Sequence, residues 1–157
     1  MTPRFDALTP HDLPRLRELN EVFAQAFEDA VSYVDSPPSE AYLREVLASP
    51  TFIAVVAIVD DRVVGGLTAY VLPKVEQERR EIYLYDLAVL AEFRRRSIGR
   101  SLIRELCRIG RQRGAHVVFV QADEGDEIPI ALYSSMGSRE HPYHFDIDIE
   151  KELRRRL

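Results

Sequence analysis

Two rhythms of apolar residues run through this chain. Between Glu81 and Val89 alternate residues change sides: Glu81, Tyr83, Tyr85, Leu87 and Val89 fall on one face, Ile82, Leu84, Asp86 and Ala88 on the other. Both faces are mostly apolar, which predicts a central strand. From Ile98 the spacing changes to three and four. Ile98, Leu102, Leu106 and Ile109, with Ile103 beside them, predict a buried helical stripe that Gly114 stops.

Around this pair the rest of the chain falls into shorter elements. Arg4–Leu8 predicts a first strand, and Thr9-Pro10 a helix with Thr9 as N-cap and Pro10 at its first position. Leu13, Leu16, Leu19 or Asn20, Phe23 and Phe27 form its stripe. Tyr33–Pro38 reads as a loop, and Ser39 as the cap of a helix over Glu40–Ala48 with Tyr42, Leu43, Val46 and Leu47 apolar. Phe52–Val59 and Val63–Leu72 read as strands joined by an Asp60-Asp61-Arg62 turn. Gly65-Gly66 marks a bulge or a close backbone approach. Val117–Gln121 is a fifth strand, followed by a helix over Ile128–Met136 that Asp126 caps and Gly137 ends. In a last strand His144, Asp146, Asp148 and Glu150 share one face and Phe145, Ile147 and Ile149 the other. Lys151–Leu157 reads as a short frayed helix.

The connection between the organising strand and its helix carries the clearest chemistry. Arg94-Arg95-Arg96-Ser97-Ile98-Gly99-Arg100-Ser101 puts four guanidinium groups at a helix N-terminus, where backbone N–H groups and the helix dipole also favour an anion. Ser97 and Gly99 permit close approach, which suits a phosphate or pyrophosphate. Judged on charge alone, a solvated basic turn is an equal reading. Asp86, among Ile82, Leu84 and Ala88, reads as a structural, hydrogen-bonded buried carboxylate, since an unpaired one there would be costly.

Leu87-Ala88-Val89 followed by Arg94-Arg95-Arg96-Ser97-Ile98-Gly99 resembles the acetyl-coenzyme-A site of the GNAT acetyltransferases, whose motif is Gln/Arg-x-x-Gly-x-Gly/Ala. The chain departs from it at Ser97, where the first glycine is usual. Ala131-Leu132-Tyr133-Ser134-Ser135-Met136-Gly137 resembles a second stretch of that superfamily, Leu-Tyr-x-x-x-Gly. Five segments in order are similar to the aminoglycoside 3-N-acetyltransferases of the gentamicin and fortimicin type: Thr51–Ala54, Ala69–Lys74, Glu81–Val89, Val120–Asp123 and His144–Asp148. The resemblance implies an α+β GNAT fold, with a mixed, mostly antiparallel sheet of about six to seven strands flanked by about four helices. It also implies a single domain over residues 1–157 and acetyl-coenzyme A as cosubstrate.

Its implications for the site follow residue by residue. Leu87, Ala88, Val89, Arg94, Arg95, Arg96, Ser97, Ile98, Gly99, Arg100 and Ser101 would hold the cofactor, the strand residues pairing with the pantetheine arm. Tyr133 would donate to the departing sulfur, and attack would be direct, in a ternary complex that needs no Cys107 nucleophile. An aminoglycoside is a polycation, so Tyr33, Glu81, Tyr83, Asp123, Glu124, Asp146 and Asp148 are the expected substrate contacts. Asp123 and Asp148 are the candidate proton acceptors.

Composition narrows the alternatives. At 157 residues, 46% hydrophobic and 30% charged, the chain suits one soluble domain. A net charge of −5 argues against general nucleic-acid binding, and no stretch reads as a signal peptide or membrane span. Cys107, the single cysteine, excludes an internal disulfide, suits a reducing cytoplasm and is expected to be buried in its helix. Four scattered histidines give no metal spacing, so no metal is expected. The rival readings are acetylation of a polyamine or a protein amino terminus, a coenzyme-A-binding domain without catalysis, and an anion-binding adaptor. Association into a homodimer is left open by the sequence.

Overall fold

The computed structural model describes residues 2–155. Its centre is a hairpin of β2 (Phe52–Val59) and β3 (Arg62–Pro73), with β1 (Arg4–Ala7) outside β2 and β4 (Arg80–Val89) outside β3. These four are antiparallel, and β5 (Ala115–Val120) adds in parallel beside β4. Asp60 and Asp61 close the hairpin with φ of 49° and 60°, the left-handed pair that a two-residue turn needs to match strand twist.

Helices α1 (Leu13–Phe27), α2 (Ala30–Tyr33), α3 (Glu40–Ala48) and α4 (Ile98–Gln112) accompany this sheet. Leu13, Leu16, Leu19, Val22 and Phe23 of α1 and Leu43 and Leu47 of α3 join Phe52, Ala54, Val56, Ile58, Val63 and Ala88 in one core cluster. The register puts Ile53, Val55, Leu67, Ala69, Val71, Ile82 and Leu84 on the opposite face. There the predicted α4 stripe, Ile98, Leu102, Ile103, Leu106 and Ile109, is buried. Truncating Leu102 or Leu106 to alanine would cost about 2–5 kcal/mol. Gly66 meets α1 closely: a Cβ there would lie 2.5 Å from Leu19 Cδ1 and 2.6 Å from the Val55 carbonyl oxygen. The expected bulge lies beside it, where Ala57 faces Gly65 but Ile58 faces Val63.

Contacts divide the chain into two compact units, one ending at Glu124 and one starting at Gly125. The second holds α5 (Glu127–Ser134) and α6 (Ile149–Arg154).

Several expectations are corrected. The first helix starts at Leu13, because the Asp12 carboxylate turns back to bond the Thr9 N–H (2.8 Å) and hydroxyl (2.6 Å), placing Pro14 in the first turn. Ala30–Tyr33 is helical, with Asp29 accepting from the Ser32 N–H at 3.0 Å. The sheet has five strands among the described residues, not six to seven, and there are six α-helices, not about four. His144–Asp148 forms no strand: period-two patterning supplies two faces but not the partner strand that a ladder requires. Asp148 instead caps α6, accepting from the Lys151 N–H at 2.8 Å. The predicted tail helix extends over Arg156 and Leu157, which lie outside the described residues. Cys107 is exposed, because α4 turns its buried stripe to the sheet and Cys107 lies off it. Phe27, at the end of the α1 stripe, is 42% exposed.

Candidate active site

The organising strand changes character halfway along. β5 pairs with β4 only from Arg80 opposite Ala115 to Leu84 opposite Val120. From Tyr85 to Val89 that side of β4 has no strand beside it among the described residues, while the other side stays paired to β3. At the same place β4 bulges. Leu84 faces Ala69 and Asp86 faces Thr68, so Tyr85 is the extra residue. The bulge moves Asp86 off the face of Ile82 and Leu84 and onto the face of Thr68 and Tyr70. Strict alternation placed it on the wrong side.

Past Val89 the chain makes a short 3-10 turn at Ala91–Phe93 and reaches the arginines. Arg94 Nε donates to the Val89 carbonyl oxygen at 3.1 Å, and the Arg96 guanidinium lies 5.3 Å from the Phe93 ring centroid. Arg95 and Ser97 both have left-handed backbones, with φ of 61° and 59°. Ser97 holds the N-cap position with the conformation glycine adopts at least cost, and its hydroxyl makes no capping bond. The first helical bond runs from the Ser101 N–H to the Ser97 carbonyl oxygen at 3.0 Å. The N–H groups of Ile98 and Gly99 precede it, and no acidic residue occupies that turn. Buried Ile98 anchors the turn to the core. An uncapped helix start ringed by arginines fits a phosphate-bearing ligand.

On the tyrosine-bearing face, side chains gather around Asp86. Tyr33 of α2 donates its hydroxyl to Asp86 Oδ1 at 3.0 Å, and the Thr68 hydroxyl reaches Oδ2 at 3.4 Å. Burial pushes the Asp86 carboxyl above its usual range, and these two hydrogen bonds partly oppose the shift. Burial and the neighbouring Asp86 carboxylate push the Tyr33 phenol well above its ordinary range. Tyr33 also packs on Phe23 and Phe27, with ring centroids at 5.5 and 5.8 Å. Across the strands an aromatic row runs Phe52, Tyr70, Tyr85, Tyr83, Phe119, with neighbouring centroids 4.9 to 5.8 Å apart.

The other expected contacts divide between the two units. Glu81 lies 3.7 Å from Lys74 Nζ and 3.9 Å from His116 Nε2. The Tyr83 hydroxyl donates to Gln121 Oε1 at 2.9 Å. Asp123 and Glu124 are exposed in the irregular chain after β5. In the second unit Tyr133 is half-buried on α5, and Asp146 pairs with His144 Nε2 at 3.0 Å. Asp126 holds the N-cap position of α5 without a side-chain capping bond. The sequence reading missed Thr68, Tyr70 and Tyr85 as companions of Asp86. The available signal was an acid in the apolar half of the strand, with Tyr83 and Tyr85 just before it.

This chain belongs to the Acetyltransferase (GNAT) family, whose sequence profile matches residues 16–137. It is similar, at 46% identity and a TM-score of 0.93, to an aminoglycoside acetyltransferase from an uncultured soil metagenomic sample, over 95% of this chain and 99% of that one. A second such enzyme from an uncultured soil metagenomic sample, solved with sisomicin, is 32% identical over 94% of this chain and 96% of its own, with a TM-score of 0.87. The glucosamine 6-phosphate N-acetyltransferase of Trypanosoma brucei brucei is 27% identical over 89 residues, and this chain spans 58% of it. The family uses acetyl-coenzyme A. The α4 start, Arg94–Arg96 and the free edge at Leu87–Val89 are the groups here that fit its phosphates and its extended arm.

Proposed function

We propose that this protein is an aminoglycoside N-acetyltransferase working as one domain, with the 3-amino group of gentamicin- and fortimicin-type drugs as acceptor. The observation that carries the reading is the likeness to an aminoglycoside acetyltransferase at 46% identity over 95% of the chain. Acetyl-coenzyme A supplies the acetyl group, and transfer is direct, with both reactants bound. Arg94, Arg95, Arg96 and the N–H groups opening α4 hold the phosphates. The Leu87–Val89 backbone aligns the arm and polarises the carbonyl. Tyr133 returns a proton to the departing sulfur. Glu81, Asp123, Glu124, Asp146 and Asp148 offer carboxylates to the ammonium groups of the drug. In a cytoplasm, such an activity confers resistance to these antibiotics.

Purified protein with acetyl-coenzyme A should release thiol in the presence of gentamicin, fortimicin or sisomicin, and NMR of the product should place the acetyl group on the 3-amino nitrogen. Turnover of spermidine, a peptide amino terminus or glucosamine 6-phosphate with none of these drugs would overturn the substrate assignment. Acetylation at another nitrogen would overturn only the position. Tyr133→Phe should leave acetyl-coenzyme-A affinity in place and lower kcat by about 10²–10⁴-fold, the usual contribution of a general acid.

A further inference from the structure

The aromatic residues of the sheet line up by register. Phe52 faces Tyr70, Tyr70 faces Tyr83 and Tyr83 faces Phe119, so β2, β3, β4 and β5 each place one ring in a single line. Phe52 is buried in the core with α1 and α3 and anchors that line. Beyond it the rings are open to solvent: Tyr70 is 41% and Phe119 39% exposed, and Tyr85, beside the line, 60%. They also hold one another. Tyr83 stacks on Phe119 at an interplanar angle of 6°, with its hydroxyl bonded to Gln121, and Tyr85 stands at 82° to Tyr70 and 66° to Tyr83. Ring faces are therefore offered in two orientations by side chains that lose little freedom on binding.

The next line on the same face runs Leu72, Glu81, Val117, with Leu72 and Val117 exposed. An open apolar face of this kind marks a binding surface. Its chemistry argues for a small molecule over a protein, because the centre of a protein interface is depleted of glutamate and lysine. Here Glu81 stands between the apolar side chains, with Lys74 Nζ at 3.7 Å. A ligand that suits rings, phenol hydroxyls and a carboxylate together carries an apolar face, hydroxyls at its edge and an ammonium group. An aminosugar has all three: its C–H face lies on a ring, its hydroxyls meet the phenols, and its ammonium meets Glu81 or a ring face.

We infer that Tyr70, Tyr83, Tyr85 and Phe119 form a platform on which an aminosugar ring of the acceptor lies flat, so that the enzyme selects cyclic amines over linear ones. This deepens the reading of the protein as an aminoglycoside acetyltransferase and rests on it. The arginine turn takes no part, so the platform sets the KM of the amine and leaves the cofactor alone.

NMR of gentamicin added to the full-length protein with coenzyme A, which cannot donate an acetyl group, tests the contact directly. Ring C–H lines should move upfield and receive saturation from the protein, and both effects should persist at high salt, where exposed ion pairs are screened. Tyr70→Leu and Phe119→Leu should each raise KM for gentamicin roughly 2–10-fold, with kcat and acetyl-coenzyme-A affinity steady. Tyr70→Phe, which keeps the ring, should restore KM, a rescue expected of a stacking surface. Spermidine, wherever it is turned over, should keep its KM in all three variants. Unshifted sugar lines overturn the platform even if a leucine variant fails to fold, and so does a rise in KM shared equally by gentamicin and spermidine. Loss of a dimer in Phe119→Leu with an unmoved gentamicin KM overturns it too and assigns the face to a second copy. If gentamicin is neither bound nor acetylated, the drug reading fails and glucosamine 6-phosphate becomes the probe. Upfield shifts of its ring lines then support the platform, and their absence overturns it.

Discussion

The turn before α4 and the tyrosine-bearing face of β4 adjoin along one stretch of chain, yet they are built on opposite principles. The turn is local. Its four arginines, its left-handed Arg95 and Ser97 and its helix start lie within eight consecutive residues, and it works through backbone N–H groups and exposed charge. The face around Asp86 is assembled from a distance. Tyr33 lies 53 residues and Thr68 18 residues from the aspartate they bond, and the carboxylate is half-buried among rings. A turn built of exposed charge can stay wet, because multiple charges compensate for solvent screening. The carboxylate on the face is instead partly dry, and there it binds its proton more tightly.

The largest separation should come from the arginines. Replacing Arg94, Arg95 and Arg96 together with alanine should weaken acetyl-coenzyme A by roughly 10²-fold, since hydrogen bonds to charged groups contribute about 1.5–3 kcal/mol each before screening. The salt dependence of binding should flatten, while KM for the amine stays near wild type at saturating cofactor. Calorimetry at two ionic strengths reads both. Unchanged affinity would mean that the phosphates lie elsewhere.

A backbone contact tests the other region. Gly66→Ala would drive a Cβ into the Val55 carbonyl oxygen and Leu19, and a carbonyl in a ladder cannot yield as a side-chain tip can. The expected loss is about 1–3 kcal/mol of stability, measured by denaturant unfolding. Because α1 is displaced and Tyr33 packs on its Phe23, the amine KM should rise before cofactor affinity changes. Equal damage to both would erase the difference between the two regions.

This difference in construction decides what could be read in the sequence. The α4 stripe, the Ser39 cap, the β2–β3 hairpin and the arginine turn are signalled by neighbouring residues, and each was legible. Asp86 was legible as a hydrogen-bonded carboxylate but not as part of a tyrosine-bordered site. Its face depends on one extra residue in β4, which alternation cannot show, and its main partner sits in a helical turn that Pro37-Pro38 made look like loop. The strand expected at His144–Asp148 failed for the complementary reason. The pattern was present, but Asp148 satisfies the backbone locally by capping α6.

A smaller effect belongs to the aromatic rings. Tyr85→Leu keeps the bulge position filled and removes one ring face, which contributes about 0.5–2 kcal/mol to holding a cation. KM for the amine should rise roughly 2–30-fold, with cofactor affinity and Tm steady, because the side chain is 60% exposed. Steady-state kinetics with varied amine is sufficient. A fall in cofactor affinity of the same size would assign Tyr85 to the other region.

The smallest expected effect separates backbone from charge within the turn itself. Ser97 has φ 59° and ψ 12°, in the left-handed region, and its hydroxyl makes no capping bond. A left-handed backbone costs a residue with a Cβ about 1 kcal/mol or more, while glycine loses about 0.5–1 kcal/mol through the greater freedom of its unfolded chain. Ser97→Gly should therefore gain at most about 0.5–1 kcal/mol. That corresponds to about 1–4 °C in Tm for a chain of this size. Ser97→Val should lose stability, since a β-branched residue tolerates this conformation least. Neither change alters charge, so the salt dependence of acetyl-coenzyme-A binding should match wild type in both. Paired calorimetric melts and binding isotherms check it. If valine is tolerated and glycine destabilises, Ser97 does not hold the turn through its backbone, and the arginines alone account for the site.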